Sequence, residues 1–297
     1  MQKYENTIIQ GDCLEVLKTF PDNSIDLIFA DPPYYLQLPK GKRLKRADGS
    51  EIIPVDDAWD SFENYDDYDK FTETWLKECQ RILKPTGTIW VIGMYHNIFR
   101  VGKIMQDLGI WFLNDVIWVK IGALPNLLCR RLTNNHETLI WAIKNKNAKG
   151  YTFNYQLLKK MNGDKQMKDT DWTFPICKGN ERAKDENGVK AHPTQKPLKL
   201  IQQVLLTASN KGDLVLDPFM GSGTTAVVAT ALGRKWIGIE REEKYIKVAN
   251  KRVEDYIKSQ KSIENEIAKL IEPKINIEER IISEISKAKD KVKEEPK

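Results

Sequence analysis

The sequence predicts an α/β fold, and three observations predict it. Short apolar runs alternate with stretches of helical periodicity, the rhythm of a mostly parallel sheet covered by helices. Residues 214–239 contain a complete βαβ unit. Two proline-bearing loops, at 31–34 and 217–225, each follow a strand directly, where open parallel sheets place their ligands.

The elements follow in order. Gly11-Asp12-Cys13 precedes a short helix, and Ser24 to Ala30 (SIDLIFA) reads as a buried strand ended by Asp31-Pro32-Pro33. From Asp69 to Leu83, the residues Phe71, Trp75, Cys79 and Leu83 recur every four positions, which marks one helical stripe. Lys84-Pro85-Thr86-Gly87 is expected to stop that helix, and Thr88 to Gly93 (TIWVIG) forms the next strand. His192-Pro193-Thr194-Gln195-Lys196-Pro197 opens another helix. Leu214 to Leu216 is a strand, Thr224 to Leu232 a helix, Trp236 to Ile239 a strand and Glu243 to Tyr256 a helix. Residues 123–190 are polar, basic and rich in Asn, so the segment 120–190 is expected to be an insertion on the rim of the sheet. The expected organisation is one domain over 1–257 carrying that insertion, then a charged tail over 258–297. In the tail, Ile281, Ile285, Ala288 and Val292 hold helical spacing; it either packs on the core or a partner, or is a partly ordered appendage.

Composition excludes several classes. The chain has 297 residues, 41% hydrophobic and 30% charged, which suffices for a substantial core and rules out disordered and fibrous proteins. Cys13, Cys79, Cys129 and Cys177 form no C-x-x-C pair, against a zinc ribbon or a disulfide framework. His96, His136 and His192 lack metal-ligand spacing, so no metal is expected. The N-terminus has no apolar signal core and no run approaches about 18 apolar residues, so a cytoplasmic protein without a membrane partner is expected. Charge is uneven: residues 120–199 hold 16 Lys and Arg against 7 Asp and Glu. Lys40, Lys42, Arg43, Lys45 and Arg46 form a second basic cluster, followed by eight acids and no base between Glu51 and Asp69. This pattern suits either a polyanionic partner or a solvated lysine-rich surface.

The loop Asp31-Pro32-Pro33-Tyr34 suits one kind of chemistry. Asp31 accepts a hydrogen bond from an amino group, and Pro33 biases Pro32 toward an extended conformation that frees the Pro32 carbonyl to accept a second. Two acceptors on one NH2 favour a pyramidal, more nucleophilic nitrogen, and Tyr34 offers a face for a planar base. A proline-stiffened turn with a capping Asp is the plainer alternative.

The stretch Asp217-Pro218-Phe219-Met220-Gly221-Ser222-Gly223-Thr224-Thr225 joins a strand to a helix. Its glycines let the backbone approach a ligand and the helix presents free N–H groups. It is neither a P-loop nor a full G-x-G-x-x-G. Glu240, at the end of the next strand, can bridge ribose hydroxyls, which points to an adenosine-bearing cofactor. Asp12 either caps the helix after it or bonds an adenine amino group. Lys196 either pairs with a cofactor carboxylate or is a solvated lysine.

The combination of DPPY, HPTQKP and DPFMGSGTT, in that order, resembles the β-class amino-methyltransferases of DNA. Leu36-Gln37-Leu38, Trp90 to Val101, Asp107-Leu108-Gly109, Leu113-Asn114-Asp115-Val116, Thr133-Asn134 with His136-Glu137-Thr138, Tyr151 to Tyr155 and Asp171-Trp172-Thr173 are similar to the cell-cycle-regulated (CcrM-type) adenine methyltransferases. The resemblance runs from about Asn6 to Tyr256. It implies a Rossmann-like S-adenosylmethionine-dependent fold with helices on both faces and an inserted DNA-recognition region. It implies N6-methylation of adenine within 5'-GANTC-3' of double-stranded DNA, by a homodimer in the bacterial cytoplasm and nucleoid. By the same resemblance Asp31, Pro32, Pro33 and Tyr34 are catalytic. The donor is held by Asp12, Cys13, Asp31, Lys196, Asp217, Pro218, Phe219, Gly221, Ser222, Gly223, Thr224, Thr225 and Glu240. Lys42, Arg43, Lys45 and Arg46, with Arg130, Arg131, Asn134 and Asn135, are the DNA-contact candidates. Two departures stand out: Tyr35 occupies the position where these enzymes usually have Asn, and a charged helical tail follows where they usually carry a further DNA-binding domain. Three alternatives differ in chemistry. N4-cytosine methylation more often uses Ser in place of Asp31, and protein-amide methylation more often uses Asn; a non-catalytic DNA-binding regulator would not need both motifs.

Overall fold

Strand spacing and helix caps can be followed directly in a computed structural model of the chain, which describes residues 1–36, 44–45, 51–52, 60–122, 132–166, 170–184 and 188–259, the backbone alone at 44–45 and 51–52. The strands are β1 Thr7–Gln10, β2 Ile25–Ala30, β3 Leu44–Lys45, β4 Glu51–Ile52, β5 Leu83–Gly93, β6 Trp111–Ile121, β7 His136–Ile143, β8 Asp171–Pro175, β9 Leu214–Asp217 and β10 Lys235–Glu240. The helices are α1 Cys13–Val16, α2 Tyr65–Ile82, α3 Ile98–Asp107, α4 Tyr155–Met161, α5 Leu198–Ala208, α6 Thr224–Ala231 and α7 Glu243–Ser259. Eight strands form one sheet in the order β1-β10-β9-β2-β5-β7-β6-β8, and β3 pairs with β4 in a separate hairpin. Every neighbouring pair in the large sheet is parallel except the two made by β7, which runs antiparallel between β5 and β6.

Alternation along the strands sends side chains to two cores. Ile28, Ala30, Ile89 and Val91 face one layer, against Trp75, Leu76 and Cys79 of α2 and Val101 and Met105 of α3. Leu27, Phe29, Trp90 and Ile92 face the other, against Leu200, Val204 and Leu205 of α5, Val227 and Val228 of α6, and Val253 of α7. Both faces are therefore covered, and each large apolar side chain that is fully buried contributes about 1.5–3 kcal/mol. On the second face Trp90 and Trp141, paired across β5 and β7, stack with centroids 5.1 Å apart, and Trp172 of β8 extends the row.

Boundaries differ from expectation for local reasons. Helix α2 begins at Tyr65, four residues early, because the Asn64 side chain accepts from the Asp67 N–H and acids fill the first turn. Strand β5 begins at Leu83: Lys84 to Gly87 interrupt the register with β2 between Ile25 and Leu27 instead of separating helix from strand. The rim insertion over 120–190 needs correction at β7, a central strand. Its run Thr138 to Ile143 is wholly local, and the polar composition around it masks it. The tail from 260 onward lies outside the described residues, as do Cys129, Lys42, Arg43, Arg46, Arg130 and Arg131. No helix among the described residues is long and apolar enough to cross a membrane.

Candidate active site

The carboxyl end of the parallel sheet opens into a cavity of about 270 Å³. It is lined from three directions: the loop after β2 (Asp31, Pro32, Pro33, Tyr34), the loop after β9 (Asp217 to Ser222, Thr224, Thr225) and the end of β10 (Ile239, Glu240). Asp12, Cys13 and Lys196 also line it. Sequence positions 12 to 240 thus converge on one space because every contributing strand ends there.

The loop after β2 is held by its neighbours. Pro32, Pro33 and Tyr34 are buried, and the Tyr68 hydroxyl of α2 donates to the Pro33 carbonyl at 2.9 Å. Tyr35 takes φ 52°, in the left-handed region that Asn enters readily and Tyr does not. Asp60 holds this turn with both oxygens, accepting from the Tyr35 N–H at 2.6 Å and the Leu36 N–H at 2.9 Å. The Tyr35 ring packs among Phe62, Tyr65 and Tyr68, with centroids 5.2–5.9 Å away. Tyr35 does not line the cavity, whereas Phe62 does.

Asp31 accepts hydrogen bonds from the Tyr34 hydroxyl at 2.9 Å and from the Lys196 ammonium at 2.6 Å. Lys196 is only 7% exposed. It also lies 3.8 Å from Glu137, and its Nζ sits 5.1 Å from the Tyr34 ring centroid. In this structure, then, the Lys196 ammonium is committed to Asp31, where the sequence suggested a cofactor carboxylate or solvent. Burial pushes the Asp31 carboxyl up despite Lys196, and the Lys196 ammonium is also held up by its two carboxylates against burial. Glu137, at the start of β7, accepts from the Tyr34 hydroxyl at 3.1 Å and pairs with Lys120 of β6 at 2.5 Å. Burial opposes its charge, but Lys196 and Lys120 hold its carboxyl below the usual range. Glu137 and Lys120 are functional candidates that motif reading did not mark as site residues. The available signal was a Glu two residues into a strand that runs against the sheet, so that its start falls at the site.

The loop after β9 builds the other wall. Asp217 spends its carboxylate internally, accepting from the Thr225 hydroxyl at 2.6 Å and the Phe219 N–H at 3.0 Å. Burial pushes it up to about 7. Gly221 and Gly223 have φ 51° and 79°. A Cβ at Gly223 would stand 2.6 Å from that of Ala249 on α7, so this glycine serves helix packing and does not line the cavity. Arg252 of α7, absent from the sequence candidates, donates to the Ser222 carbonyl at 2.6 Å and to the Ser222 and Thr224 hydroxyls. The Glu240 carboxylate accepts from the Gly221 N–H at 2.9 Å, clasping the loop to β10, and burial raises it. Asp12 caps α1 through Oδ1, accepting from the Leu14 N–H at 2.8 Å, and still lines the cavity. Burial holds Cys13 beside it as a neutral thiol, up to about 12.

Phe219 supplies an apolar surface against Trp75 and Phe71, with two acid side chains, Asp12 and Glu240, on the same cavity. That apolar surface and pair of acceptors fit an adenosine group with its amine and ribose hydroxyls. The family described as DNA methylase, of the N6/N4 type, matches residues 25–251. This chain belongs to the N6/N4 DNA methylases. The methylase is 53% identical over 270 residues to the type II methyltransferase M.HinfI of Haemophilus influenzae, covering 91% of this chain and 74% of that protein. It is 39% identical over 253 residues to the type II methyltransferase M2.DpnII of Streptococcus pneumoniae, covering 85% and 91%. Among solved structures it is similar to the M1.HpyAVI–SAM complex, with a TM-score of 0.61, 26% identity and coverage of 83% and 98%. The cytosine-N4-specific PvuII DNA methyltransferase, at TM-score 0.64, 23% identity and coverage of 91% and 92%, shares the fold. The methylase is a site-specific DNA amino-methyltransferase that uses S-adenosylmethionine.

Of the DNA-contact candidates, two are described with side chains. The Asn134 amide donates to the His136 carbonyl, fixing the start of β7; exposed Asn135 accepts from the Lys120 N–H through its carbonyl. Neither lines the cavity. Lys45 lies in β3, with its backbone alone described. Among the described residues, no group of three or more His, Cys, Asp or Glu could hold a metal ion.

Proposed function

We propose that the target is the adenine of 5'-GANTC-3' in duplex DNA, flipped into the cavity beside Asp31. The observation that carries this reading is the meeting of the 31–34 and 217–225 loops on one cavity. The base leaves its stack at a cost of about a few kcal/mol. Asp31 and the Pro32 carbonyl accept the two N–H bonds of the amine, holding its lone pair in line; Tyr34 supplies the aromatic wall. Asp, where N4-cytosine enzymes more often have Ser, favours adenine. S-adenosylmethionine, when bound, supplies an electrophilic methyl on sulfonium sulfur. Glu240 and Asp12 accept from the donor's ribose hydroxyls and adenine amine, with Cys13, Pro218, Phe219 and Gly221 forming the surface around them. Ser222, Thr224 and Thr225 hold that surface in shape. Catalysis is positioning and polarisation.

Target recognition belongs to the basic 120–190 segment outside β7, within a catalytic unit of 1–257 followed by the 258–297 tail. The basic arm at 42–46 and Arg130, Arg131, Asn134 and Asn135 contact the duplex. The motif resemblance supports a homodimer on the bacterial nucleoid, and also a cell-cycle role. The two type II relatives favour a modification enzyme of a restriction–modification pair.

The test is nucleoside mass spectrometry of duplexes treated with the protein and methyl-labelled donor. Label in N6-methyladenine only where GANTC is present is the expected result. Label on adenine in other contexts overturns the site and keeps the reaction; label in N4-methylcytosine overturns the base.

A further inference from the structure

One phenol proton faces two carboxylates at the centre of the site. The Tyr34 oxygen lies 2.9 Å from Asp31 Oδ1 and 3.1 Å from Glu137 Oε2, both hydrogen-bond distances. A phenol donates a single hydrogen. With both carboxylates ionised, only one contact is filled properly. Both are filled once one carboxyl carries a proton, since that acid donates to the phenol oxygen while the phenol donates to the other carboxylate.

We infer that Glu137 is a positioning residue for methyl transfer, and that Tyr34 turns its hydroxyl toward Glu137 as Asp31 takes up the proton released by the methylated amine. This rests on Asp31 receiving the amine, as proposed above. The amine nitrogen bonds the methyl carbon while the carbon–sulfur pair leaves with sulfur. The nitrogen is left cationic, and its extra proton passes to Asp31 Oδ1. The new Asp31 O–H donates to the Tyr34 oxygen, and the Tyr34 O–H donates to Glu137 Oε2. Glu137 stays anionic, and the proton on Asp31 returns to solvent after product release.

The surroundings decide which carboxyl protonates. Glu137 is held ionised by Lys120 at 2.5 Å on one oxygen and Lys196 at 3.8 Å on the other. Among the described residues Asp31 pairs with Lys196 alone, with Glu137 and Asp217 as like charges nearby. Burial raises Asp31, while the two lysines lower Glu137. The network therefore has one proton too few before transfer and the right number after it, which favours the product side.

The test uses full-length Glu137→Gln, Tyr34→Phe and the double variant, in single-turnover methylation of a GANTC duplex across pH, with donor affinity by calorimetry. Each single variant is expected to keep donor affinity and slow transfer about tenfold or more, as for loss of one hydrogen bond to a charged group. The double variant should be no slower than the slower single one. In Glu137→Gln the acid limb should also move to lower pH, because Asp31 loses a neighbouring negative charge; loss of packing alone would not move it that way. Unchanged transfer in Glu137→Gln, or losses that multiply in the double variant, overturn the inference. If Glu137→Gln does not fold, Tyr34→Phe at wild-type rate overturns it alone. Asp31→Ala separates the premise: near-normal turnover there defeats Asp31 as the acceptor of the amine, whatever Glu137 does.

Discussion

The Lys196 ammonium and the Asp31 carboxylate, 165 residues apart in sequence, meet at 2.6 Å in the buried wall of the cavity. In the proposed reaction Asp31 accepts the amine as a carboxylate, and Lys196 is the cation that favours its ionised form against burial. Replacing Lys196 by Met removes that cation from both Asp31 and Glu137. Stability should drop by about 3–5 kcal/mol, the usual result of stripping one partner from a buried ion pair. The surviving activity should show its acid limb at higher pH, since Asp31 then protonates more easily. Chemical denaturation and a pH–rate profile check both; an acid limb that stays put or moves down contradicts the role of Lys196. Adding Asp31→Asn should recover part of the lost stability, because it removes the carboxylate that has lost its close cation, whereas Glu137 keeps Lys120.

Asp217 gives a second pH effect of a different kind. Burial pushes its carboxyl from the ordinary value of 3.8 up to about 7. Between those values the folded protein holds a proton that the unfolded chain has released, so stability from this group is lost as pH rises through the window. Above about 7 the cost is fully present; below 3.8 it vanishes. Asp217→Asn retains an acceptor for the Phe219 N–H and can donate to a turned Thr225 hydroxyl. The stability of the wild type relative to Asp217→Asn should therefore fall across the window, by at most about 1.4 kcal/mol per pH unit. Urea unfolding at pH 5, 6, 7 and 8 measures the difference; a flat difference refutes the assignment.

These two carboxylates show what the sequence made visible and what it did not. The motifs around Asp31 and Asp217 are contiguous, follow apolar runs and carry Pro and Gly, so their place at strand ends is a local signal. The ion partners are not local. Lys196 was visible as a motif residue, but its orientation toward Asp31 depends on a sheet crossover. Glu137 and Lys120 reach the site only because β7 runs antiparallel beside β6, pairing His136 with Val119. Long-range antiparallel registry leaves no mark within a short window. Strand β6 hides further because Asn114 and Asp115 interrupt its apolar residues, and only Val116 and Trp118 are buried in it. Tyr35 departs from the family pattern of Asn, and its left-handed φ is a backbone fact that Tyr as a residue type argues against.

That backbone conformation is testable by paired substitution. Tyr35→Ala and Tyr35→Gly both lose the ring contacts with Phe62, Tyr65 and Tyr68, so their difference isolates the left-handed φ of 52°. Gly enters that region freely and Ala does not. Tyr35→Gly should be the more stable of the two by about 1 kcal/mol. Equal stability by thermal unfolding, or an Ala variant above Gly, would show that the turn relaxes when the ring is gone.

Arg252 offers the last prediction, because it reaches the glycine loop from outside the motif. Its guanidinium donates to the Ser222 carbonyl and to the hydroxyls of Ser222 and Thr224 from the far side, while burial lowers its own affinity for a proton. Gly221 presents its N–H to Glu240 next to this anchor, so the shape of the donor-binding wall depends on a residue of α7. Arg252→Met keeps most of the aliphatic stem and removes all of these hydrogen bonds. The loop carbonyl then loses a buried donor, at a cost of about 1–3 kcal/mol. Part of that loss should be read as weaker donor binding, with S-adenosylmethionine affinity falling about tenfold or more while duplex affinity changes little. Calorimetry with the donor and fluorescence anisotropy with a labelled duplex separate the two; equal weakening of both would place Arg252 in general stability of the fold instead of in support of the glycine loop.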